Sequence, residues 1–560
     1  MKTYAFLCHS ACCAAFFAAT ASTFSASAVE MPGYEKSRLS PMSQKSFEDL
    51  RDITDQRIAE IRATPNMNIP QGSEVRYVAA NGDDDKNDGK TPSTPWKTLG
   101  KLTYNNLNPW SGWSQTHVKY VRFRRGDVFR GQLLAQAGVT YTAYGTGPKP
   151  CIYASPANGA NPKLWTPTNA PNVWCYHIGT NDVGTIVFDG GREHAIKIVP
   201  YYHTNATAAV KFTQQYTGEP FTNGYKDLSH DLLFWHDYKA NTKFKPHAKG
   251  SGIIYLYSEK GNPGSRFKSI EFCIGEQRNH VIDAKRNDNV TIDNLCIKYA
   301  GAHGISGSDS SNPNPLKNLK VTNCELGWIG GSIQWENNAG GPTRFGNAVE
   351  IYGGCDNFVV DNCYVYQVYD AGLSQQFNLN TASQVMDQKN IRYSNNVIEC
   401  CNYSIEYFLG QVATNNTSHI ENFTIVSNLM WDAGTGLCQM RPNTNEAAHV
   451  KSWGHSNRAK NYYIRDNVFA RSKKMLVHVN SARKNSDGSD SMPTTMSGNV
   501  FIGDRGQYLG IVNQGTEVWL RYNDAGVSKL CERYPENYFF TEPKRKYSLW
   551  AMPPGPHVER

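Results

Sequence analysis

The sequence predicts an all-β fold, a right-handed parallel β-helix, from three observations. An asparagine returns at intervals of 29, 39, 34, 32, 39 and 32 residues, and each closes a segment of alternating polar and apolar residues. An apolar pair or near-pair follows each asparagine. A unit of this length cannot bury its own apolar side, so successive units must stack, and we expect the amides to form one ladder. The seven asparagines are Asn294, Asn323, Asn362, Asn396, Asn428, Asn467 and Asn499.

Residues 1–28 have the pattern of a secretory signal peptide. Lys2 supplies the positive start, residues 5–21 are largely apolar, and Ala26-Ser27-Ala28 forms a small-residue cleavage site. We therefore expect a secreted or periplasmic protein. No later segment is apolar and long enough to predict a membrane span.

An N-terminal helical segment is predicted over residues 29–74. Helical periodicity runs over 43–64, and Pro65 and Pro70 end it. A further short helix starting near Pro95 is expected to cap the end of the solenoid, because an uncovered end coil would expose apolar core and a strand edge.

The parallel β-helix is predicted as the catalytic domain, over residues 75–540. Within it, residues 199–250 are rich in aromatic side chains and poor in alternation, so we expect an inserted lobe or long loops there. Residues 541–560 are polar and rich in proline, which predicts a loosely held C-terminal tail.

Composition limits the classes of partner. The chain of 560 residues has 57 Lys and Arg against 49 Asp and Glu, a net charge of +8 that permits an acidic polysaccharide without requiring one. The 31 tyrosines without a cluster of basic residues argue against nucleic acid. No cysteine spacing predicts a metal site. The acidic loop at residues 83–88 is either a structural calcium site or a solvated turn.

Cysteine usage leaves the disulfide question open. Of the 14 cysteines, three lie in the predicted signal, so 11 remain, and an odd number leaves at least one free thiol. Cys324 and Cys363 follow asparagines of consecutive coils, so they either form a disulfide or stack as buried thiols.

Strand alternation predicts a column of outward-facing residues on one flank. In the coil that begins at Asn323, about 15 extra residues precede the second strand, compared with its neighbours. With that loop allowed for, the column contains Ser306, Glu350, Ser374, Glu406 and Cys438.

Two glutamates in this column are the basis of the predicted catalytic site. Glu350 and Glu406 are two coils apart, roughly 10 Å, and Asp370 lies on the coil between them. A carboxylate pair at about 6.5–9.5 Å suits an inverting glycosidase, and one at about 5.5 Å a retaining one. One carboxyl would act as general acid and another, kept ionised, as base or nucleophile. His303 is a further residue of the same groove.

Five residues are the predicted substrate contacts. Trp328 and Trp335 belong to the long loop that would overhang the acids, and Gln376 follows on the same flank. Arg441 would clamp a substrate carboxylate or order Glu406, and His449 follows close behind it.

Several segments resemble those of a known group of proteins. They are YVAANGDDDKNDGKTPSTPWKTL, RRGDVFRGQL, LLFWHDYKAN, IIYLYSEKGNPGSRFKSIEF, YAGAHGI, GNAVEIYGG and QVYDAGLSQQ. Over roughly residues 75–505 the chain is similar to bacterial β-helix carbohydrate-active proteins of the pectin-lyase-like superfold. It is most similar to the glycoside-hydrolase-type members, which include xylosidase- and fucosidase-like enzymes. The resemblance implies an outer groove with acidic catalysts on adjacent coils. The acids named above are inferred from the strand register and are not carried over from the family.

Three functions follow from these observations. The first is hydrolysis of a polysaccharide or oligosaccharide by carboxylate acid/base catalysis. The second is a polysaccharide lyase that cleaves a uronate-containing glycan by β-elimination, using cations among Arg344, Arg441, His449 and Lys451. The third is glycan binding without catalysis. The sequence does not determine the oligomeric state.

Overall fold

Three stacks of parallel strands form the body of the molecule. The computed structural model describes residues 5–7, 44–108, 118–202, 212–214, 219–238, 250–275, 280–285, 287–308, 314–336, 342–379, 385–411, 417–441, 446–452, 459–479, 493–504, 508–511, 519–521 and 536–542.

The strands that end before the asparagines form an 11-stranded sheet, here called sheet B. Its pairings are parallel and in register from coil to coil, as between Cys355–Asp361 and Gln388–Ser394. Its strands are Val75–Val78, Tyr120–Arg124, Thr140–Tyr144, Thr291–Asp293, Leu316–Lys317, Lys320–Thr322, Cys355–Asp361, Gln388–Ser394, Ile420–Val426, Ala459–Arg465 and Thr495–Ser497.

The strands that follow the asparagines belong to a 17-stranded sheet, sheet A, which is bent into two arms. Two long strands, Tyr364–Leu379 and Val397–Gln411, turn the corner and join the arms. The first arm contains Val128–Arg130, Cys151–Tyr153, Cys296–Lys298, Glu325–Ile329, Leu429–Ala433, Val468–Ser472, Val500–Asp504 and Tyr538–Glu542, with Ala5–Leu7 antiparallel to the last. The second arm contains Leu133–Leu134, Ile282–Asp283, Ile305–Ser308, Val349–Tyr352, Ala448–Ser452 and Val477–His478.

This arrangement is the predicted parallel β-helix. Parallel crossovers of this kind are right-handed for the chiral reasons that govern L-amino acids. Inward side chains of the second arm, such as Ile305, Val349, Leu373, Ile405 and Val450, belong to one continuous core with those of sheet B. Burial of that common core holds the coils together, because each coil alone is too small to bury its apolar side.

The asparagines form two columns, so the expectation of a single ladder was wrong. Asn396, Asn428, Asn467 and Asn499 are fully buried. Each donates through Nδ2 to Oδ1 of the next, at 2.9 Å, 2.9 Å and 3.0 Å, and Asn499 continues the ladder to Asn537 at 2.9 Å.

The earlier asparagines stand one position before that column. Asp361 pairs with Ser394, so Asn362 aligns with Asn395 and not with Asn396. Asn294, Asn323 and Asn362 have φ of 56°, 55° and 54°, a left-handed conformation that asparagine tolerates better than most residues. The 34-residue interval concealed this one-residue shift.

A second asparagine ladder lies on the outside of sheet B. Asn318 bonds Asn289 at 2.6 Å, Asn422 bonds Asn390 at 2.9 Å, and Asn461 bonds Asn422 at 3.0 Å. The sequence analysis missed this ladder, although its members repeat with nearly the same spacing as the first.

Helices cover the N-terminal end and one flank. Leu99–Lys101 (3₁₀) and Tyr104–Leu107 bury Leu99 and Leu107 in the main core, as expected for a helical cap. The longer helix, Gln44–Arg62, lies against the outer face of the first arm, where Trp431 Nε1 donates to Thr54 Oγ1 at 3.0 Å. The remaining short helices are Pro162–Leu164, Asp189–Gly191, Gly224–Asp227 and Gly436–Met440, all 3₁₀, and Pro263–Arg266.

An antiparallel lobe interrupts the coils. Its pairing runs from Thr166 to Ile274, well beyond the aromatic-rich segment 199–250, and it includes Ile253–Tyr257. Its strands are Thr166–Pro167, Val173–His177, Ile196–Lys197, Leu233–Asp237 and Ile253–Tyr257 in one sheet, and Val183–Phe188, Glu193–His194 and Ile270–Ile274 in another. Separate hairpins pair Pro200–Tyr202 with Phe212–Gln214, Ile333–Glu336 with Pro342–Arg344, and Tyr508–Ile511 with Trp519–Arg521.

The structure bears on two questions that the sequence left open. None of the ten described cysteines forms a disulfide, and Cys324 and Cys363 are stacked thiols, with the Cys324 amide 3.4 Å from Cys363 Sγ. In the acidic loop, the carboxylates accept hydrogen bonds from the chain itself: Asp83 from Asp85 N at 2.9 Å and Asp84 from Lys97 N at 2.7 Å. These bonds brace the turns of the loop. The predicted tail beyond residue 542 and most of the predicted signal lie outside the described residues.

Candidate functional site

The predicted acidic column exists on the outer face of the second arm. Parallel register aligns Ser306 with Glu350, Glu350 with Ser374, and Ser374 with Glu406. Their neighbours on the strand, Ile305, Val349, Leu373 and Ile405, point into the core. Because side chains alternate in a strand, Glu350 and Glu406 point outward on the same flank, two coils apart.

The column continues with Lys451 and His478, not with Cys438. Glu406 pairs with Lys451, and Lys451 with His478. Cys438 lies instead in the 3₁₀ helix Gly436–Met440. The offset from the ladder asparagine failed here because this coil, like the one that contains Glu350, has a long connection between the two arms.

Glu350 is held by a histidine and an amide. Its Oε2 is 2.8 Å from His303 Nδ1 and accepts a hydrogen bond from Asn347 Nδ2 at 2.6 Å. His303 Nδ1 also accepts the backbone N–H of Asn347 at 3.1 Å. A 2.8 Å contact between a ring nitrogen and a carboxyl oxygen is favourable when one proton lies between them, so His303 and Glu350 share a proton. This geometry couples the carboxyl to a group that can exchange a proton with it.

Asp370 lies at the corner between the arms, where the pairing register shifts between Val368 and Ala371. Its carboxylate forms an ion pair with Arg441, and both side chains are about nine-tenths buried or more, at 9% and 12% exposure. Burial opposes the charged form of Arg441, but Asp370 and the Tyr403 phenol raise its pKa above the usual value. Asp370 therefore has a permanent cation as its partner, and Arg441 orders this acid and not Glu406.

Tyr403 connects the acids electrostatically. Burial raises the pKa of its phenol well above the ordinary value, the Arg441 cation lowers it, and the charges of Asp370 and Glu406 raise it further. The Arg441 guanidinium lies 5.5 Å from the Tyr403 ring centre. The neutral phenol thus lies within the field of both acids.

At the far end of the column, Lys451 is a buried cation next to Glu406. Its Nζ donates to His478 Nδ1 at 2.5 Å and lies 3.7 Å from Glu446 Oε2. Burial and this lysine lower the pKa of His478 to about 3, so its ring is neutral and accepts the hydrogen bond. A cation one strand spacing from Glu406 favours the ionised form of that carboxyl.

Two buried hydroxyls flank Glu350 in the column. Ser306 and Ser374 are 1% and 0% exposed, and neither Oγ has a hydrogen-bond partner within the described residues. Buried hydroxyls without partners are rare and need an explanation such as water or a bound ligand.

The long loop partly behaves as predicted. Its hairpin, Ile333–Glu336 with Pro342–Arg344, places Phe345 over the His303 ring, with centroids 5.3 Å apart. Trp335 packs edge-on against Phe345 at 5.3 Å and is 40% exposed, so it lies beside the Glu350 end of the column.

Gln376 also lies on this flank. It pairs with Tyr352 and Phe408 in the next outward row, and it is partly exposed.

Trp328 and His449 are not in the groove. Trp328 is 2% exposed and its ring lies 5.3 Å from that of His194, between the first arm and the lobe. His449 is fully buried, bonds Ser404 Oγ at 2.9 Å through Nδ1, and donates through Nε2 to Arg471 O at 3.0 Å. Burial lowers its pKa to about 3, so it is a neutral structural residue.

Sequence reasoning missed the partners of the acids. Asn347 and Tyr403 had no motif that marked them, because each acts through a turn or corner whose length varies between coils. The contact between His303 and Glu350 could have been predicted from the sequence. Glu350 is in the column, and His303 lies shortly before Ser306, the residue that pairs with Glu350.

Comparisons with known proteins give a likeness of fold. No family model matches the sequence, and no curated protein matches it. Similar solved structures include a protein described as a glycoside hydrolase, at 9% identity and TM-score 0.43, covering 79% of this chain and 96% of that chain. A lacto-N-biosidase from Eubacterium ramulus has 12% identity and TM-score 0.29, over 84% and 68%. PfbA, a surface adhesin of Streptococcus pneumoniae, has 10% identity and TM-score 0.29, over 69% and 77%.

At these values the comparisons carry no argument about activity. The strand pairing itself establishes the parallel β-helix. Within the described part of the chain, no helix combines the length and apolar character needed to cross a membrane.

Proposed function

We propose that the protein hydrolyses glycosidic bonds of a polysaccharide or oligosaccharide bound along the outer face of the second arm. The observation that carries the proposal is the register that aligns Glu350, Ser374 and Glu406 in one outward column. Two carboxyls with different surroundings, on one rigid sheet, are what acid/base cleavage of a glycoside requires.

The surroundings suggest different roles for the two glutamates. Glu350, with its proton shared with His303, is the general acid that protonates the leaving oxygen. Glu406, next to Lys451, remains ionised and is the base. Asp370, whose carboxylate pairs with Arg441, lies on the coil between the two glutamates.

The spacing favours inversion. Two strand spacings separate the backbones of Glu350 and Glu406 by roughly 10 Å, which leaves room for a water between substrate and base. Both glutamates are 4% exposed, so a substrate reaches them only when the side chains that cover the column move aside.

The lyase alternative is less favoured because the cations have other partners. Arg344 donates to Gly331 O at 2.6 Å and Met440 O at 3.2 Å, and His449 is a buried neutral ring. Arg441 is neutralised by Asp370, and Lys451 lies beside Glu406 and Glu446. A uronate carboxylate would have to displace an acid of the protein from these cations.

We place this activity outside the cytoplasm, on the basis of the signal-like residues 1–28. Edman sequencing of the protein recovered from a bacterial periplasm or medium should begin at Val29, after Ala28. An N-terminus at Met1 in the recovered protein would contradict export by this segment.

The test is a product profile on a panel of plant and algal polysaccharides and aryl glycosides, with Glu350→Gln and Glu406→Gln as variants. We expect new reducing ends without an unsaturated uronate chromophore, and a loss of at least about a hundredfold in kcat for each variant. Glu421→Gln is the matched control, because Glu421 lies on sheet B, paired with His419 and Lys460.

Three outcomes would contradict the proposal. Near-normal rates in both variants would remove the site. A chromophore at the new chain end would indicate elimination, and binding of a glycan without any cleavage would indicate an adhesin-like role.

A further inference from the structure

The antiparallel lobe contains a buried cluster of charged side chains far from the acidic column in sequence. Asp182, Lys197 and His236 are 3%, 1% and 0% exposed. Lys197 Nζ forms an ion pair with Asp182 and donates to Val183 O at 2.7 Å. His236 Nδ1 lies 3.4 Å from Asp182 Oδ1. The three side chains thus interact with one another inside the lobe. Asp182 Oδ2 can still accept one hydrogen bond from a donor outside the lobe.

That donor belongs to the hairpin over the site. Asp182 Oδ2 accepts the backbone N–H of Ile333, the first residue of the hairpin, at 2.5 Å. Gly184 packs so closely on Gly330 and Gly331 that a Cβ there would overlap their backbone. On the other side, Ser332 Oγ donates to Gly301 O at 2.6 Å. The base of the hairpin is therefore fixed between the lobe and the β-helix.

The turn that precedes Arg441 contacts the same cluster. The Lys197 N–H points at Met440 Sδ, 3.3 Å away, and Arg344 of the hairpin donates to Met440 O at 3.2 Å. Arg441 follows directly and pairs with Asp370. One part of the lobe thus touches both the hairpin and the turn that delivers Arg441.

We propose that Asp182 is a positioning residue, through which the lobe sets the placement of the hairpin beside Glu350 and of the turn that delivers Arg441. A buried ion pair is seldom more stable than an apolar pair of the same size, so stability alone does not explain it. What the carboxylate adds is an oriented acceptor for the Ile333 N–H. The effect on catalysis rests on the proposed function, whereas the effect on loop order does not.

The experiment separates the acceptor from the charge with two double variants. Asp182→Leu with Lys197→Met removes both charges and the acceptor. Asp182→Asn with Lys197→Met also removes both charges but keeps an oxygen that can accept from Ile333. Hydrogen exchange is followed in the hairpin strands Ile333–Glu336 and Pro342–Arg344, with Ile253–Tyr257 as the reference within the lobe.

We expect the Leu/Met variant to exchange its hairpin amides at least about tenfold faster, since leaving the buried Ile333 N–H without an acceptor costs free energy on that scale. The Asn/Met variant should stay within about threefold of wild type, and the reference strand should be unchanged in both. Asp231→Asn, which breaks a lobe ion pair with Arg266 away from the hairpin, should leave hairpin exchange unaltered.

Equal hairpin exchange in the two double variants would overturn the proposal, as would acceleration that spreads through the reference strand. If glycoside hydrolysis is found, kcat should fall in the Leu/Met variant and recover in the Asn/Met variant. If no hydrolysis is found, the exchange comparison still decides the role of Asp182.

Discussion

His303 Nδ1 lies 2.8 Å from Glu350 Oε2, and the same nitrogen accepts the Asn347 N–H. The 2.8 Å contact is short enough for a hydrogen bond, so the ring and the carboxyl share one proton. This relationship couples Glu350 to His303 and gives His303 a role that its sequence position alone did not reveal.

The first prediction concerns this shared proton. His303→Ala removes the partner that shares a proton with Glu350, so kcat should fall by about tenfold or more. His419→Ala, next to the sheet B strand Ile420–Val426, is the control and should leave the rate unchanged.

If kcat and KM in His303→Ala both stay near wild type, the histidine only packs beneath Phe345 and does not serve Glu350.

The second prediction concerns the ion pair of Asp370 and Arg441. Either Asp370→Asn or Arg441→Met leaves a buried charge without its partner and should lower the free energy of unfolding by about 3–5 kcal/mol. The double variant should lose less than the sum, because no uncompensated charge remains. Urea unfolding of the four proteins measures this coupling, and additive losses would mean that the two side chains do not interact.

The third prediction concerns Glu325, which pairs with Lys298 at 3.2 Å and with Arg62 of the N-terminal helix at 2.9 Å. Burial alone would raise its pKa, but these two cations lower it to about 2. A carboxyl with a lowered folded-state pKa stabilises the fold above its ordinary value of 4.5, and the contribution is lost as pH falls from there towards 2.

Thermal unfolding should therefore show Glu325→Gln destabilised by roughly 3 kcal/mol near neutral pH, with the difference from wild type shrinking below about pH 4.5. Glu60→Gln, an exposed partner of Arg57 on the same helix, should show little difference at any pH. A constant gap between wild type and Glu325→Gln from pH 7 to 2.5 would contradict the assignment.

Much of the architecture was predictable because stacking imposes a period on the sequence. The intervals between asparagines, the alternation around Ile305, Val349, Leu373 and Ile405, and the excess loop before Glu350 sufficed to align Glu350 with Glu406. The period does not determine, however, which residue of each coil occupies the ladder. Asparagine serves both the left-handed turn at Asn362 and the amide ladder that starts at Asn396, so one residue type marked two columns.

The corner between the arms could not be predicted, since its length differs from coil to coil. That variation moved Cys438 out of the column and brought Lys451 into it. It also separated Trp328 and His449 from the groove. Contacts such as those of Tyr403 and Asn347 depend on corner geometry, which a strand-based alignment does not contain.

The last prediction compares the two asparagine ladders. Asn428 Oδ1 accepts from the amide of Asn396, and its Nδ2 donates to Asn467 Oδ1 at 2.9 Å and to Tyr393 O at 3.0 Å. Asn428→Ala would leave these buried groups without partners, so the free energy of unfolding should fall by about 3 kcal/mol or more.

The matched variant is Asn422→Gly in the outer ladder. Asn422 has φ of 55°, which glycine accepts, and its amide bonds Asn390 at 2.9 Å on the exposed side of sheet B. Water can replace that bond, so we expect a loss of about 1 kcal/mol or less. Equilibrium unfolding in urea of both variants measures the difference. Comparable losses would mean that the inner ladder adds no more stability than a surface hydrogen bond, because relaxation or water entry would have satisfied the orphaned groups around position 428.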